Sequence, residues 1–223
     1  MAESTTAVGR LVQVVAQLRE HCLWTAALTH ESLVEYLIEE SHELAEVIEA
    51  GPGTAAAELK GELADVLFQV LLHARLQEEA GNFNFEDVAE YLSAKLVRRN
   101  RHVFKPDGSL QESFPESIEE IVASYDAVKQ GERPERDSPF DGIPPTLPAL
   151  TLAAKSIDRA RRAGFPVDQQ PGSFEVGSRP PASETELGDL LLAVVRQASA
   201  AGLDAEQALR GAVHRFQRSV TGA

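Results

Sequence analysis

The sequence predicts an all-α protein, because its apolar residues recur at helical spacing and strong breakers separate the segments with this period. One apolar stripe lies between residues 33 and 47, at Leu33, Tyr36, Leu37, Leu44 and Val47. Residues 63–72 are apolar almost all round, which indicates a helix buried on most sides. Gly51-Pro52-Gly53 separates the two segments, so we expect two consecutive helices here.

Periodicity, N-cap residues and breakers set the other helix boundaries. Thr29 or Ser32 can cap the helix that runs to about Ala50, and Gly81-Asn82 ends the helix after it. Residues 22–25 form a short connection before these helices. The remaining helices are expected over about 8–21, 55–80, 86–99, 117–130, 150–164, 184–201 and 204–220.

The short connection contains the only tryptophan, Trp24, which has two interpretations. A large apolar side chain at this place can be a hydrophobic plug for the core. Alternatively, the ring can form an aromatic wall for a nucleobase.

Composition divides the chain into two helical regions. Residues 1–130 form the first, 131–148 read as an extended linker, and 149–223 form the second. The Glu-x-x-Asp spacing at 62–65 recurs at 186–189 before another apolar run, so the regions look like two copies of one helical unit. The second copy is incomplete, because a Pro/Gly/Ser-rich stretch at 169–183, expected to be loop or disordered, replaces the acidic partner helix.

Charge and composition exclude several classes of function. The formal net charge of −14 argues against nonspecific binding to nucleic acid or to an anionic membrane. Cys22 is the only cysteine, which excludes an intrachain disulfide and a thiolate zinc cluster. The N-terminus shows no signal pattern and no apolar run approaches membrane-spanning length, so the expected location is the cytoplasm.

Two acidic strings fall on the two helices flanking the Gly-Pro-Gly breaker. Glu40 lies within the apolar stripe of the first helix, and Glu43 lies one turn further at its margin. Glu62 and Asp65 lie one turn apart on the apolar helix. If these helices pack together, four carboxylates converge, which is unfavourable without a partner.

Convergent carboxylates require a counter-charge, since like charges about 4 Å apart repel by about 4 kcal/mol at an effective dielectric of about 20. Residues 31–90 contain 15 acidic residues but only two basic ones, Lys60 and Arg75. A divalent cation supplies the charge, and Mg²⁺ suits carboxylates together with substrate phosphates. The alternative is an ordinary solvated acidic face, which does not explain an acid inside the apolar stripe.

A basic string spans the end of the fourth expected helix and the residues after it. Residues 91–105 contain no acid and five basic residues, at Lys95, Arg98, Arg99, Arg101 and Lys105. One interpretation is that cations are favoured at a helix C-terminus by the helix dipole. The other is that they bind the side of a triphosphate opposite the metal. His102 is expected to be a packing or hydrogen-bonding residue.

The motifs EESHE at 39–43 and ELAD at 62–65, followed by VLFQVLLHAR, resemble the E-E-x-x-E…E-x-x-D signature of the MazG nucleoside triphosphate pyrophosphohydrolases. The resemblance extends through EEAGNFNFEDV and KLVRRNRHVF, and GIPPTLPALTLAAKSIDRARRAGF resembles the start of the second domain of tandem members. Residues 22–25 lack the proline and aspartate of the C-P-W-D string that members often show, and the second half lacks the E-E-x-x-E helix.

The resemblance implies an all-α helical bundle, usually dimeric, that cleaves nucleoside triphosphates to the monophosphate and pyrophosphate. The catalytic domain is then 1–130 and the degenerate second domain 149–223. In the implied site, Mg²⁺ (or Mn²⁺) is held by Glu40, Glu43, Glu62 and Asp65. Glu39 helps to hold a second metal ion or orients the attacking water. The phosphates contact Lys95, Arg98 and Arg99, and Trp24 joins the substrate-binding residues if it is an aromatic wall.

Two other functions stay open at this point. The altered 22–25 connection and the eroded second half fit a non-catalytic helical module that binds a nucleotide or a protein. A narrower substrate such as dUTP, dCTP or an oxidised nucleotide is compatible with the same fold, because base choice depends on pocket shape.

Overall fold

The computed structural model describes residues 6–51, 55–131, 138–167 and 180–221, and every regular element in these ranges is a helix. The helices are α1 Ala7–His21, α2 Leu23–Ala26, α3 Leu33–Glu49, α4 Ala56–Glu79, α5 Phe85–Arg99, α6 Ile118–Gly131, α7 Ala149–Arg162, α8 Glu184–Ala200 and α9 Ala205–Thr221. The all-α prediction is confirmed. No helix within these ranges is both long and apolar enough to cross a membrane. The chain forms two compact units, Met1–Gly131 and Glu132–Ala223.

The first unit is built on the pair α3 and α4. Leu33 of α3 is buried with Leu71 and Leu72 of α4, and Val15 of α1 completes this core. Partly buried side chains surround it, at Leu11, Val12, Leu28, Tyr36, Leu67, Phe68, Leu76 and Phe85. Each fully buried aliphatic side chain stabilises the fold by about 2 kcal/mol, so this core holds α3 and α4 in one register.

Arg19, whose side chain is 8% exposed, ties α1 to α2 and to the end of α4. The guanidinium of Arg19 donates to the carbonyl oxygens of Thr25 and Leu28, and it donates two bonds, of 3.1 and 2.6 Å, to the carboxylate of Glu79. The hydroxyl of Thr25 donates to the carbonyl oxygen of Leu18 at 2.6 Å. These bonds hold the residue 22–28 segment in place through its backbone.

The start of α5 is specified by local sequence. Gly81 ends α4 with a φ of +74°, a conformation that glycine adopts without steric cost. Asn84 and Asp87 then form a reciprocal capping box, with bonds of 3.1 and 2.8 Å. The helix itself has no fully buried side chain in the single chain.

Two expectations about the first unit are wrong. The 63–72 stretch is not buried on most sides: Leu63 is 52% exposed and Val70 is 38% exposed, because the contacts of α4 with α1, α3 and α5 leave these positions open. Trp24 is 61% exposed, so it is not a hydrophobic plug. It lies on a helical turn, α2, which the polar bonds of Arg19 and Thr25 hold in place.

The second unit has its own small core, formed by Ile157 of α7, Val195 of α8 and Val167. Arg196 donates to the carbonyl oxygen of Val167 at 3.1 Å, and Arg159 donates to that of Pro139 at 3.2 Å. Most of the predicted loop 169–183 and part of the predicted linker 131–148 lie outside the described residues.

The repeated Glu-x-x-Asp string of the second unit has a local structural role. Ser183 caps α8 by accepting a bond from the backbone nitrogen of Glu186, and the Glu186 carboxylate accepts one from the backbone nitrogen of Ala182 at 2.9 Å. A glutamate in this position is typical of a helix start. The two-repeat organisation and the domain boundaries stay predictions.

Candidate active site

Three of the predicted acids meet where α3 packs against α4. One carboxylate oxygen from each of Glu40, Glu62 and Asp65 lies within 4.8 Å of the others. Glu40 follows the buried Leu33 by seven residues, and Asp65 precedes the buried Leu72 by seven. Seven residues are close to two helical turns, so both acids face the helix pair.

The environment of the cluster disfavours charge on two of these groups. Burial is the main cause that raises the pKa of Glu40, and the charges of Asp65, Glu43, Glu39 and Glu62 raise it further. Burial also raises the pKa of Glu62, followed by the charges of Glu43, Asp65 and Glu58. Both causes act against the carboxylate form, so the metal-free cluster is electrostatically unfavourable.

The donor set fits a hard divalent cation. Oxygen Oε2 of Glu62 is buried and has no hydrogen-bond partner, which is uncommon for a buried polar atom. Carboxylate oxygens are the ligands that Mg²⁺ and similar cations take. Arg75 does not supply the missing charge, because it is paired with Glu78 and Glu79 near the other end of α4.

Glu39 and Glu43 lie at the edge of the cluster. Both are exposed on α3, and neither supplies an oxygen to the group within 4.8 Å. The charge of Glu43 still raises the pKa of both Glu40 and Glu62, whereas that of Glu39 raises only that of Glu40. The structure therefore brings three of the four predicted ligands together and leaves Glu43 beside them.

The exposed ring of Trp24 contacts a partly buried tyrosine on α3. The ring of Trp24 meets the ring of Tyr36 edge to face, with centroids 6.4 Å apart. Tyr36 precedes Glu40 by one turn of α3. Because the plug interpretation is wrong, an aromatic wall is the remaining interpretation of Trp24.

The structure separates the residues of the basic string into three places. Arg98, Arg101 and Lys105 line a cavity at the C-terminal end of α5. The guanidinium of Arg99 lies 5.9 Å from the ring centroid of Tyr125, with 3.4 Å between its Nη1 and the hydroxyl. Lys95 is partly buried on α5 and does not line the cavity.

Sequence reasoning missed a polar chain between the start of α3 and α4. The Nδ1 atoms of His30 and His73 are 2.7 Å apart, the amide nitrogen of Gln77 is 2.6 Å from Nε2 of His30, and Asn82 donates to Gln77 at 2.7 Å. Burial, followed by the charge of His30, lowers the pKa of His73. No local pattern indicates this chain, because the two histidines are 43 positions apart. His102 was expected to be a packing or hydrogen-bonding residue, and its Nδ1 is buried without a hydrogen-bond partner.

Comparison with known proteins agrees with this architecture. The family model described as the MazG nucleotide pyrophosphohydrolase domain matches residues 28–104. This range includes both acidic strings and the basic string up to residue 104. The chain is 35% identical over 228 residues to the nucleoside triphosphate pyrophosphohydrolase/pyrophosphatase MazG of Thermotoga maritima, an alignment covering 97% of this chain and 85% of that protein. It is 32% identical over 231 residues to the nucleoside triphosphate pyrophosphohydrolase of Escherichia coli, covering 95% and 84%. An uncharacterised 26.1 kDa protein of Streptomyces cacaoi is 39% identical over 215 residues, covering 96% and 81%. The chain therefore belongs to the MazG family.

Proposed function

We propose that this chain hydrolyses nucleoside triphosphates, both ribo- and deoxyribonucleotides, to the nucleoside monophosphate and pyrophosphate. The observation that supports this most directly is the convergence of Glu40, Glu62 and Asp65 within 4.8 Å around a buried, unpartnered oxygen. The names of the Thermotoga maritima and Escherichia coli relatives support the same activity.

The cluster is proposed to hold Mg²⁺, with Mn²⁺ as the second choice. Glu40, Glu62 and Asp65 would supply the first ligands and Glu43 the fourth. When bound, the cation would lower the pKa of an attacking water and neutralise phosphate charge. Glu39, exposed beside the cluster, would orient that water or help to hold a second ion.

The substrate side of the proposal uses cations and one aromatic ring. Lys95, Arg98 and Arg99 would contact the phosphates, which would require Arg99 to exchange its contact with Tyr125 for a phosphate oxygen. Trp24 would stack on the nucleobase. The chain's own groups then bind and orient the triphosphate, and positioning with fixed charges can supply much of the rate enhancement.

The proposed cellular role is removal of unwanted nucleoside triphosphates from the nucleotide pool of the cytoplasm. A homodimer is proposed as the working form. The support for it is the open apolar side of α5, where Tyr91, Leu92 and Leu96 are exposed in the single chain.

A non-catalytic nucleotide- or protein-binding module is the second candidate. The observation that favours it is the second unit, in which the Glu186 carboxylate accepts a hydrogen bond from the backbone nitrogen of Ala182 at the start of α8. A substrate range narrowed to dUTP, dCTP or an oxidised nucleotide is compatible with the same fold, because base choice depends on pocket shape.

The test is pyrophosphate release by the purified full chain with Mg²⁺ and a panel of NTPs and dNTPs. Asp65→Ala and Glu43→Ala should each lower the rate by more than about 100-fold. Glu46→Ala is the matched control, since Glu46 is exposed on the same helix one turn after Glu43. Wild-type rates in the Asp65 and Glu43 variants would contradict the proposal, and nucleotide binding without turnover under any divalent cation would favour the second candidate.

A further inference from the structure

The polar chain formed by Asn82, Gln77, His30 and His73 has a direction. The side-chain nitrogen of Asn82 donates to the oxygen of the Gln77 amide at 2.7 Å, and the nitrogen of that amide lies 2.6 Å from Nε2 of His30. An amide nitrogen donates and does not accept, so Nε2 of His30 is the acceptor. The proton of a neutral His30 is therefore on Nδ1.

The contact between the two imidazoles is an in-plane hydrogen bond. The Nδ1 atoms of His30 and His73 are 2.7 Å apart, and the ring planes differ by 8°. Parallel rings that lie face to face stay at van der Waals separation, about 3.5 Å, so the shorter distance places these rings edge to edge. Because Nδ1 of His30 donates, Nδ1 of His73 accepts, and a neutral His73 carries its proton on Nε2.

A second proton on either ring breaks this chain. On His73 it would occupy Nδ1 and face the Nδ1–H of His30, and on His30 it would occupy Nε2 and face the amide N–H of Gln77. Each case replaces a hydrogen bond with two opposed donors, and both rings are partly buried. Burial, followed by the charge of His30, lowers the pKa of His73, in agreement with this geometry.

Two acids beside the chain have a pKa below the range in which histidine titrates, about pH 5.5 to 7.5. A backbone hydrogen bond is the main cause that lowers the pKa of Glu31, next to His30, and the hydrogen bond from Arg19 is the main cause for Glu79 on α4. The neighbouring elements also carry Glu35 on α3, Arg75 and Glu78 on α4, and Glu86 and Asp87 on α5. The charge that acts on His73 is that of His30.

We propose that the polar chain is a pH-sensitive contact, which holds the 27–32 segment against α4 at neutral pH and releases it when either imidazole is protonated. The segment joins α2 to α3 and supplies acceptors to the first turn of α3. The backbone nitrogen of Leu33 donates to the carbonyl oxygen of Thr29 at 3.1 Å, and that of Val34 donates to that of Glu31 at 3.3 Å. Release would therefore open these amides to exchange with water. The inference stands apart from the proposed hydrolysis, because neither histidine belongs to the group of converging carboxylates.

Two measurements on the full chain test the proposal. Long-range proton–nitrogen NMR of the imidazoles at about pH 7.5 should show the proton of His30 on Nδ1 and that of His73 on Nε2. Hydrogen exchange at the amides of Leu33 and Val34, corrected for its intrinsic pH dependence, should become about tenfold faster between about pH 7.5 and 5.5, the effect of losing one or two hydrogen bonds. His30→Asn combined with His73→Asn removes both titrating rings, so exchange in this protein should not respond to pH.

Other variants exclude unrelated effects of pH. His73→Asn alone keeps an acceptor for Nδ1 of His30 and should respond less than the wild type. His21→Asn is the matched control and should respond like the wild type, since the side chain of His21 is 71% exposed. Glu40 and Glu62 do not imitate the effect, because a raised pKa makes the fold more stable as pH falls.

The positions of the imidazole protons are measured on the wild type, so the test holds even if a variant does not fold. The proposal is overturned if His30 carries its proton on Nε2. It is also overturned if wild-type exchange at Leu33 and Val34 does not change with pH, or if the double variant responds as the wild type does.

Discussion

At the residue scale, the clustered carboxylates are placed where their charge is unfavourable without a cation. The raised pKa of Glu40 and of Glu62 means that the folded, metal-free state holds their protons more readily than the unfolded state. The stability that the protonated groups contribute is therefore present below pH 4.5, the ordinary pKa of glutamate, and is lost as pH rises through the raised pKa. A bound cation favours the carboxylate form and opposes this loss.

Glu62→Gln removes one charge from the cluster with little change of shape. In EDTA at neutral pH its melting temperature should exceed that of the wild type, because burial and the neighbouring charges of Glu43 and Asp65 no longer act on an anion. The rise in melting temperature on adding Mg²⁺ should be smaller than in the wild type. Glu46→Gln serves as the control in the same thermal unfolding experiment, and a Glu62→Gln protein with wild-type Mg²⁺ stabilisation would count against the metal site.

The Trp24→Ala variant shows whether Trp24 contributes to the stability of the fold or to substrate binding. Because the ring is 61% exposed, the free energy of unfolding should change by less than about 1 kcal/mol, measured by urea denaturation. A buried tryptophan would cost about 3–5 kcal/mol. If the ring stacks on the base, KM for nucleoside triphosphates rises with kcat little changed. Unchanged KM across the nucleotide panel would remove Trp24 from the substrate-binding residues.

At the scale of the element, Arg19 fixes the position of α2 and therefore of Trp24. Its side chain is 8% exposed and holds the backbone of the 22–28 segment from one side and Glu79 from the other. The hydrogen bond from Arg19 is the main cause that lowers the pKa of Glu79. Stability from this pair is therefore present above the ordinary pKa of 4.5 and is lost as pH falls through the lowered value.

Arg19→Met should lower the free energy of unfolding by about 3 kcal/mol at pH 7, because a partly buried carboxylate and two carbonyl oxygens lose their donor. The difference from the wild type should shrink as pH falls from 4.5 through the lowered pKa of Glu79, because the carboxylate is then protonated. Arg75→Met is the control: Arg75 is more exposed and pairs with Glu78 and Glu79 on its own helix, so its loss should cost less than about 1 kcal/mol. The free energy of unfolding of both variants is measured by denaturation at several pH values. Equal losses for Arg19→Met and Arg75→Met would contradict the structural role given to Arg19.

At the scale of the whole molecule, the two units differ in how they use the same acidic string. In the first unit Glu62 and Asp65 join a cluster with Glu40, whereas in the second unit the Glu186 carboxylate accepts a hydrogen bond from the backbone nitrogen of Ala182 at the start of α8. The first unit also leaves an apolar side of α5 open. These differences locate the proposed chemistry in the first unit and its proposed dimer contact on α5.

Glu186→Gln combined with Asp189→Asn should leave the rate of pyrophosphate release unchanged, because the group of converging carboxylate oxygens found among the described residues consists of Glu40, Glu62 and Asp65. The glutamine retains an oxygen that can accept the bond from Ala182. Loss of activity in this protein, with an unchanged melting temperature, would assign the second unit a part in the reaction.

Leu92→Glu should convert a dimer into a monomer in sedimentation velocity experiments. Leu92 is 50% exposed beside Tyr91 and near Leu96 in the single chain, and a charge on such a face disfavours burial against a second copy. Glu90→Gln on the same helix is the control and should keep the dimer. A monomeric wild-type protein would remove the homodimer from the proposal.

Helix positions could be predicted closely because their causes are local. The helix expected over about 55–80 is α4, Ala56–Glu79, and the one expected over about 86–99 is α5, Phe85–Arg99. Breakers such as Gly81 and caps such as Asn84 act within a few residues of the boundary they set. Exposure was harder to predict: Leu63 and Trp24 are exposed, because burial depends on which helices pack against a segment.

The sequence by itself determined the all-α fold and the two helices that carry the acidic strings. It also determined that Glu40 and Asp65 face the helix pair, since helical periodicity places each of them two turns from a core leucine. Only the tertiary structure decided which oxygens converge, and it left Glu43 beside the group of three. It also paired Arg19 with Glu79 and His30 with His73, and it grouped Arg98 with Lys105 apart from Arg99. The physical reason is range: capping and periodicity act over a few residues, whereas these contacts depend on how whole helices pack.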